Sequence, residues 1–235
     1  MFVISCKNNP NCNYIISLVE QIRFFHPNDK IVVVDSDSED KSYFEALQQF
    51  NVIIEDVQNK HWMIGAYWHA FKKYPDEEFY FFMHDSMKVK ANLDAIKEKD
   101  LTILMYFNRH NIANFNDWGH RITNESKYEY VYSGNGCFGP IFFCKNKVMK
   151  KMLEMGADKF LPNNKAETGL CEGCYGFFLE QQGYNLQECA MYGDVFTIHS
   201  PSGPSGLPPH TTSWQYPIEK FYASYRAQPG DGRSW

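Results

Sequence analysis

Several features that would assign this chain to a common class are missing from its sequence. No lysine and arginine cluster is long enough to follow a phosphate backbone, and the formal net charge is −5, which makes nucleic acid a poor candidate partner. No run approaches the roughly 18 apolar residues of a membrane span. The N-terminus also lacks the basic and apolar parts of a signal peptide. We therefore expect a soluble, cytoplasmic protein without a transmembrane segment.

Motifs built on cysteine and glycine are also sparse. The seven cysteines form an odd set, which fits reduced thiols better than a disulfide framework. Only Cys171 and Cys174 have the spacing of a zinc site, and no second pair accompanies them. We interpret them as small residues packed at the start of a helix. The glycine-rich stretch at 134–139 lacks the lysine and hydroxyl residue that complete a phosphate-binding P-loop.

The sequence does contain a regular alternation of apolar strands and helical patterns in its first half. Apolar runs at 2–6, 31–34, 52–57 and 79–83 are separated by segments with helical spacing of apolar residues. Strands that alternate with helices predict a parallel, three-layer α/β sheet.

Beyond residue 100 the pattern is mixed, with strands predicted at 101–107 and 141–144 and a last strand ending at His199. The length of 235 residues suits one domain. We predict that it spans residues 1–199 and that the Pro/Gly-rich residues 200–235 form a flap or tail belonging to it.

Polar side chains follow two of the buried strands. Asp35 and Ser36 end the second strand, and His84, Asp85 and Ser86 end the fourth. Open α/β sheets bind ligands outside the carboxyl ends of their parallel strands, so these residues mark the predicted site. The same residue types also cap turns and helices, and that alternative stays open for both sets.

The order of these motifs resembles the GT-A fold of nucleotide-sugar glycosyltransferases. The matching pieces are VVVDSDS after the second strand, GAYWHAF in a helix, HDS after the fourth strand, GNGCFGPIFF, CEGCYGFFLEQQGY and a late TIHSP. The resemblance covers residues 2–199 and implies a GT-A-like α/β/α sandwich with a mostly parallel central sheet and a mixed C-terminal half. It also implies a hexosyltransferase-like enzyme that moves a sugar from a nucleotide-diphosphate sugar to a saccharide or other hydroxyl acceptor.

The resemblance implies roles for individual residues. The family's Asp-x-Asp motif holds Mn²⁺ or Mg²⁺ on the diphosphate, whereas this chain has only Asp85 there; His199 would be a further metal ligand. Asp85 would thus serve both catalysis and metal binding. The other expected donor-binding residues are Asp35, Ser36, His84 and Ser86. Lys220 and Arg226 lie beyond the resemblance; they are candidates because a basic group of the tail would offset phosphate charge, and an exposed amphipathic segment is the open alternative.

The acceptor side of the reaction is implied in the same way. Glu172 stands where the family has a helix-opening acid, and it would be the general base if configuration is inverted. Glu167 would replace it in a different register, and a retaining enzyme needs no such base. Sugars stack on aromatic rings and hydrogen-bond to amides and guanidinium groups, so the candidate acceptor-binding residues are Trp118, His120, Arg121 and Asn135.

Two other functions remain open at this point. A nucleotidyltransferase shares the α/β layout, but it favours a glycine-rich loop after the first strand, and CKNNPNCN contains no glycine. A non-catalytic carbohydrate-binding or scaffold protein derived from a transferase would account for the incomplete acidic motif.

Overall fold

The structure is a computed structural model that describes residues 1–7, 14–108, 122–125, 128–129, 134–194 and 217–220. Its strands are β1 (Phe2–Cys6), β2 (Ile31–Ser36), β3 (Ile53–Val57), β4 (Phe79–His84), β5 (Met87–Val89), β6 (Leu101–Ile103), β7 (Tyr106–Asn108), β8 (Asn135–Cys137), β9 (Phe142–Lys145) and β10 (Ile218–Lys220). Its helices are α1 (Ile15–Phe25), α2 (Tyr43–Gln48), α3 (Trp62–Lys73), α4 (Asp94–Lys97), α5 (Asn146–Glu154), α6 (Lys165–Glu180) and α7 (Leu186–Cys189). Ala157–Lys159 form a 3₁₀ turn, and residues 122–125 form one further helical turn.

A six-stranded sheet in the order β3-β2-β1-β4-β9-β6 forms the middle layer. The first four strands are parallel, whereas β9 runs antiparallel to both β4 and β6. β1, β2 and β4 are buried on both faces, which is why they are nearly continuous apolar runs in the sequence. The mostly parallel sheet with a mixed second half confirms the predicted fold class.

Helices cover both faces of this sheet. One core contains Val3, Val32 and Phe82 and is closed by α3, α5 and α6. The other contains Phe2 and Val33 and is closed mainly by α1 and α2. Successive strand residues alternate between the two cores because neighbouring side chains in a strand point to opposite faces.

The strand predicted at 101–107 is in fact two strands in two sheets. β6 pairs with β9 in the main sheet, and β7 pairs with β8 in a separate hairpin-like pair. The run is mostly apolar because both parts are packed, so composition did not show where the chain changes sheet. The last strand predicted before His199 lies outside the described residues.

The helix expected to open near Cys171 begins earlier, at Lys165, and that prediction was wrong. Asn164 caps it by accepting a hydrogen bond from the Glu167 amide at 3.1 Å, and the Glu167 carboxylate accepts the Asn163 amide at 2.8 Å. Glu172 therefore lies in the middle of α6. Cys171 and Cys174 are buried inside α6 rather than packed at its start.

A short segment of the tail packs against the first half of the chain. β10 runs antiparallel to β5, with Lys220 opposite Met87, and Ile218 is fully buried. Residues 217–220 thus pack against the first half of the chain, while the predicted domain bounds and the assignment of the tail to that domain stay predictions. Among the described residues, no helix has the length and apolar character needed to cross a membrane.

The absence of a side chain at Gly176 allows α6 to lie directly on β8. A Cβ on Gly176 would lie 2.6 Å from the Asn135 carbonyl oxygen and 2.8 Å from the Gly136 Cα. These neighbours are backbone atoms that cannot rotate away. A side chain at Gly176 would therefore separate the helix from the strand.

We expect Gly176→Ala to lower the free energy of unfolding by about 1–3 kcal/mol, because the new methyl group must displace the β8 backbone. Gly169→Ala is the matched control on the same helix, since a Cβ there meets no atom within 4 Å. The control should be neutral or stabilising by about 0.5–1 kcal/mol. Urea denaturation followed by circular dichroism measures both, and equal effects would contradict the close approach.

Candidate functional site

The polar residues at the ends of β2 and β4 lie at one edge of the sheet, on either side of β1. Cys6 of β1 is aligned with Asp35, and Ser5 is aligned with His84. The Asp85 amide continues this pairing by donating to the Ser5 carbonyl at 3.1 Å. This edge is the carboxyl end of the parallel strands, where open α/β sheets bind ligands.

The side chain of Lys220 reaches this edge from β10. Its Nζ lies 2.8 Å from His84 Nδ1 and 2.7 Å from Ser86 Oγ, and only 8% of the residue is exposed. An ammonium group can only donate, so His84 Nδ1 accepts and the proton of the neutral ring is on Nε2. His84 and Ser86 of the HDS motif therefore bind Lys220, which is 136 and 134 positions away from them in the sequence.

Burial and mutual charge change the protonation of all three ionisable groups. Burial lowers the pKa of Lys220 to about 8, although the Asp85 carboxylate opposes this change. Burial and the Lys220 ammonium both hold the pKa of His84 well below its ordinary value. Burial raises the pKa of Asp85, and Lys220 acts against that rise. A lysine with a pKa of about 8 is still mostly protonated at pH 7, so the site combines an ammonium, a carboxyl group and a neutral imidazole.

Gly139 connects this cluster to α6. Its amide donates to Glu172 Oε1 at 3.0 Å, and a Cβ on Gly139 would lie 3.8 Å from His84 Cε1. Its φ of +66° is a left-handed conformation that suits glycine. Glu172 is thereby placed beside the HDS motif despite its position in the middle of a helix.

Two buried polar atoms at this edge make no hydrogen bond of standard geometry among the described residues. They are His84 Nε2 and the Tyr67 hydroxyl, and the two rings are 6.4 Å apart. Buried polar groups are normally hydrogen-bonded, so both atoms are suited to contact a ligand or water. Neither Gly139 nor Tyr67 was predicted; the signal for Tyr67 was its place on the buried face of α3, between Ile64 and Phe71.

Asp35 and Ser36 are both engaged by polar side chains of other segments. The fully buried Asp35 carboxylate accepts from the Ser38 amide at 2.9 Å and from the hydroxyls of Ser38 and Tyr43. Ser36 Oγ accepts from Asn59 Nδ2 at 2.9 Å. The Asp35 contacts with Ser38 are those of a turn, but neither Asp35 nor Ser36 caps α2, whose N-cap is Ser42. The donor-binding role of both residues stays a prediction.

Asn135 joins three elements of the second half of the chain. Its Nδ2 donates to Glu180 Oε1 at 2.7 Å, and its Oδ1 accepts from Asn108 Nδ2 at 2.9 Å. Its side chain is therefore already engaged between β7, β8 and α6. Five other predicted site residues lie outside the described residues: Trp118, His120, Arg121, His199 and Arg226.

The described residues at the HDS motif do not fit a divalent metal. Mg²⁺ and Mn²⁺ favour several oxygen ligands, including carboxylates, but Asp85 is the only carboxylate in the motif. The Lys220 ammonium is held between His84 and Ser86 and already supplies a positive charge. A divalent ion beside it would be repelled.

A second group of potential ligands consists of His26, Asp29 and Asp94. It lies at the opposite edge of the sheet, where the His26 ring packs 5.0 Å from Phe2 at the start of β1. Lys97 Nζ bridges the two aspartates at 2.9 and 2.8 Å, and His26 Nε2 accepts from the Leu93 amide at 3.0 Å. A lysine thus already balances this acidic pair, and the group is remote from the HDS motif.

No protein-family model and no curated protein sequence matches the chain. Three solved structures with partial similarity are residues 1–349 of TarS from S. aureus in complex with UDP, the mannosyltransferase Ktr4p from S. cerevisiae, and core-mannan synthase A from Aspergillus fumigatus in its Mn/GDP form. Their sequence identities to this chain are 13%, 9% and 9%, with TM-scores of 0.45, 0.42 and 0.43. The similarity covers 74%, 75% and 76% of this chain and 54%, 61% and 65% of the other chains. This chain therefore spans less than two thirds of each, and similarities this low support no conclusion about activity.

We expect the burial of Lys220 to give a pH dependence that Lys220→Met removes. The unfolded chain keeps the lysine proton up to its ordinary pKa of 10.5, whereas the folded chain releases it at about 8. Between these values the unfolded state binds more protons, so the free energy of unfolding of the parent should rise relative to the variant. A rise of roughly 1–2 kcal/mol between pH 8 and 9.5 should appear in urea titrations of both proteins. A constant difference would show that the ammonium is not buried.

Proposed function

We propose that this protein transfers a sugar from a nucleotide-diphosphate sugar to a saccharide or other hydroxyl acceptor. The cluster of Lys220, His84, Asp85 and Ser86 at the carboxyl end of β4 is the observation that carries the proposal. A diphosphate leaving group gathers negative charge as its bond to the sugar breaks, and preorganised positive charge stabilises that state. The GT-A-like order of the sequence motifs supports the same substrate class.

The reaction requires one bond exchange and one proton transfer. The bond between the anomeric carbon and the diphosphate oxygen breaks, and the oxygen keeps the electron pair. The acceptor oxygen forms the new bond to the anomeric carbon and loses its proton to a base. In an inverting reaction we assign that base to Glu172, whose carboxylate is held beside the HDS motif by Gly139. Glu167 is less suited because its carboxylate binds Asn163 and Asn164 in the helix cap.

The donor would be bound by Lys220, His84 and Ser86, with Asp85 acting at the leaving group by positioning the Lys220 ammonium. The proposal also keeps the donor contacts Asp35, Ser36 and Arg226 and the acceptor contacts Trp118, His120, Arg121 and Asn135. A Mn²⁺ or Mg²⁺ ion on Asp85 and His199 stays a prediction. No step is assigned to it, because the described residues do not fit a metal.

A non-catalytic carbohydrate-binding protein is the second candidate, and the single carboxylate of the HDS motif favours it. Turnover of a sugar nucleotide separates the two functions. We expect a panel of UDP-, GDP- and dTDP-sugars to contain at least one that raises the melting temperature, since a ligand at 100 times its Kd adds about 2.7 kcal/mol. The stabilising donor should then be consumed when acceptor glycans are added. A panel in which no donor stabilises the protein would contradict the proposal.

We expect Glu172→Gln to lower kcat at least about 100-fold while leaving the Kd of the donor nearly unchanged, because it removes the base without removing a diphosphate contact. Glu167→Gln is the matched control on the same helix and should keep most of the activity. Donor titrations and initial rates measure both properties. If Glu167→Gln is the inactive variant, the other register is correct, and an equal loss of donor binding in Glu172→Gln would make Glu172 a binding residue.

A further inference from the structure

The buried strand pair β5 and β10 fixes the position of Lys220 at the HDS motif. The pairing of β10 with β5 sets Lys220 opposite Met87 and Ile218 opposite Val89, and all four residues are buried. The Lys90 amide extends the pairing by donating to the Pro217 carbonyl at 2.7 Å. The ammonium is therefore preorganised rather than recruited from solvent.

The contacts of the Lys220 ammonium place a positive charge at the HDS motif. His84 and Ser86 hold it at 2.8 and 2.7 Å, and Asp85 lies close enough to act on its pKa. The charge of the single carboxylate is thus already balanced by a protein group. A divalent ion would have one carboxylate from the motif and a like charge beside it, which is an unfavourable site.

The neutral His84 ring adds a second donor to the same place. Its Nδ1 accepts from Lys220, which leaves the proton on the buried Nε2. That atom makes no hydrogen bond of standard geometry among the described residues, although the Gly139 backbone is close enough to act on the pKa of the ring. A phosphate oxygen can accept from both an ammonium and an imidazole N–H. The pair therefore offers the chemistry of a phosphate site built from side chains alone.

We infer that Lys220 takes the place of a divalent cation, so that the diphosphate binds and departs without a metal. The inference rests on the proposed function and concerns the same site. When the bond from the anomeric carbon to the diphosphate oxygen breaks, the oxygen keeps the electron pair. The ammonium keeps its proton and stabilises the new charge through a charge-assisted hydrogen bond. The acceptor oxygen forms the new bond to the anomeric carbon and loses its proton to the base, so no oxidant or reductant is needed.

The test is isothermal titration of the full chain with UDP and with GDP, in excess EDTA and in Mn²⁺. The Kd of the diphosphate that binds should differ by less than about threefold between the two conditions. Lys220→Met should weaken binding in EDTA at least about tenfold, because it removes the ammonium and keeps the length of the side chain. Lys90→Met is the matched control on the same strand pair, since Lys90 lies 3.7 Å from Glu219 rather than in the motif, and it should bind like the parent.

The outcomes separate this inference from the proposed function. Binding by the parent only in Mn²⁺ overturns the inference and leaves the proposed function standing. Equal binding by Lys220→Met and the parent in EDTA overturns the role of Lys220. Absence of binding to either diphosphate in both conditions contradicts the proposed function itself, and the inference falls with it. If Lys220→Met fails to fold, Lys220→Arg replaces it; this variant keeps the positive charge and should still bind the diphosphate in EDTA. Binding by the parent in EDTA then decides whether the diphosphate binds without a metal.

Discussion

A strand that is buried on both faces can present polar groups only where it ends. β4 obeys this constraint, because Phe79 to Met83 are buried between two helical layers and the polar residues begin at His84. β1 lies between β2 and β4 and brings their ends to the same edge. The position of the candidate site thus follows from the burial of the sheet, since no other part of β4 could carry a carboxyl group or an imidazole without a large desolvation cost.

The second constraint is the compensation of a buried charge. An ammonium group taken out of water is costly unless hydrogen-bond acceptors and an opposite charge surround it. Lys220 has both, in His84 Nδ1, Ser86 Oγ and the nearby Asp85. The motif that appears incomplete as a metal site is therefore well suited to a lysine. The single carboxylate of the motif and the presence of the lysine are two parts of one electrostatic arrangement.

The sequence allowed the prediction of the features that repeat along the chain. Alternating apolar runs and helical spacing predicted the parallel half of the sheet, and the polar residues after β2 and β4 predicted its functional edge. Local sequence patterns did not predict the features that depend on packing between distant parts of the chain. The run at 101–107 did not show that β6 and β7 belong to different sheets, and the start of α6 was placed too late because the Asn164 cap was overlooked. The contact of Lys220 with His84 joins residues 136 positions apart, and no local pattern contains it.

The site is consequently a product of three separate segments of the chain. β4 supplies the HDS motif, the turn at Gly139 with α6 supplies Glu172, and β10 supplies Lys220. The distance between Glu172 and the HDS motif depends on how closely α6 approaches β8. Gly176 permits a close approach because it has no side chain. The charge at the motif depends on β10, which is anchored by Ile218 in the core of the first half. Packing between distant segments therefore sets both the distance from Glu172 to the HDS motif and the charge at the motif. For this reason the chemistry of the site differs from what the HDS residues alone suggest.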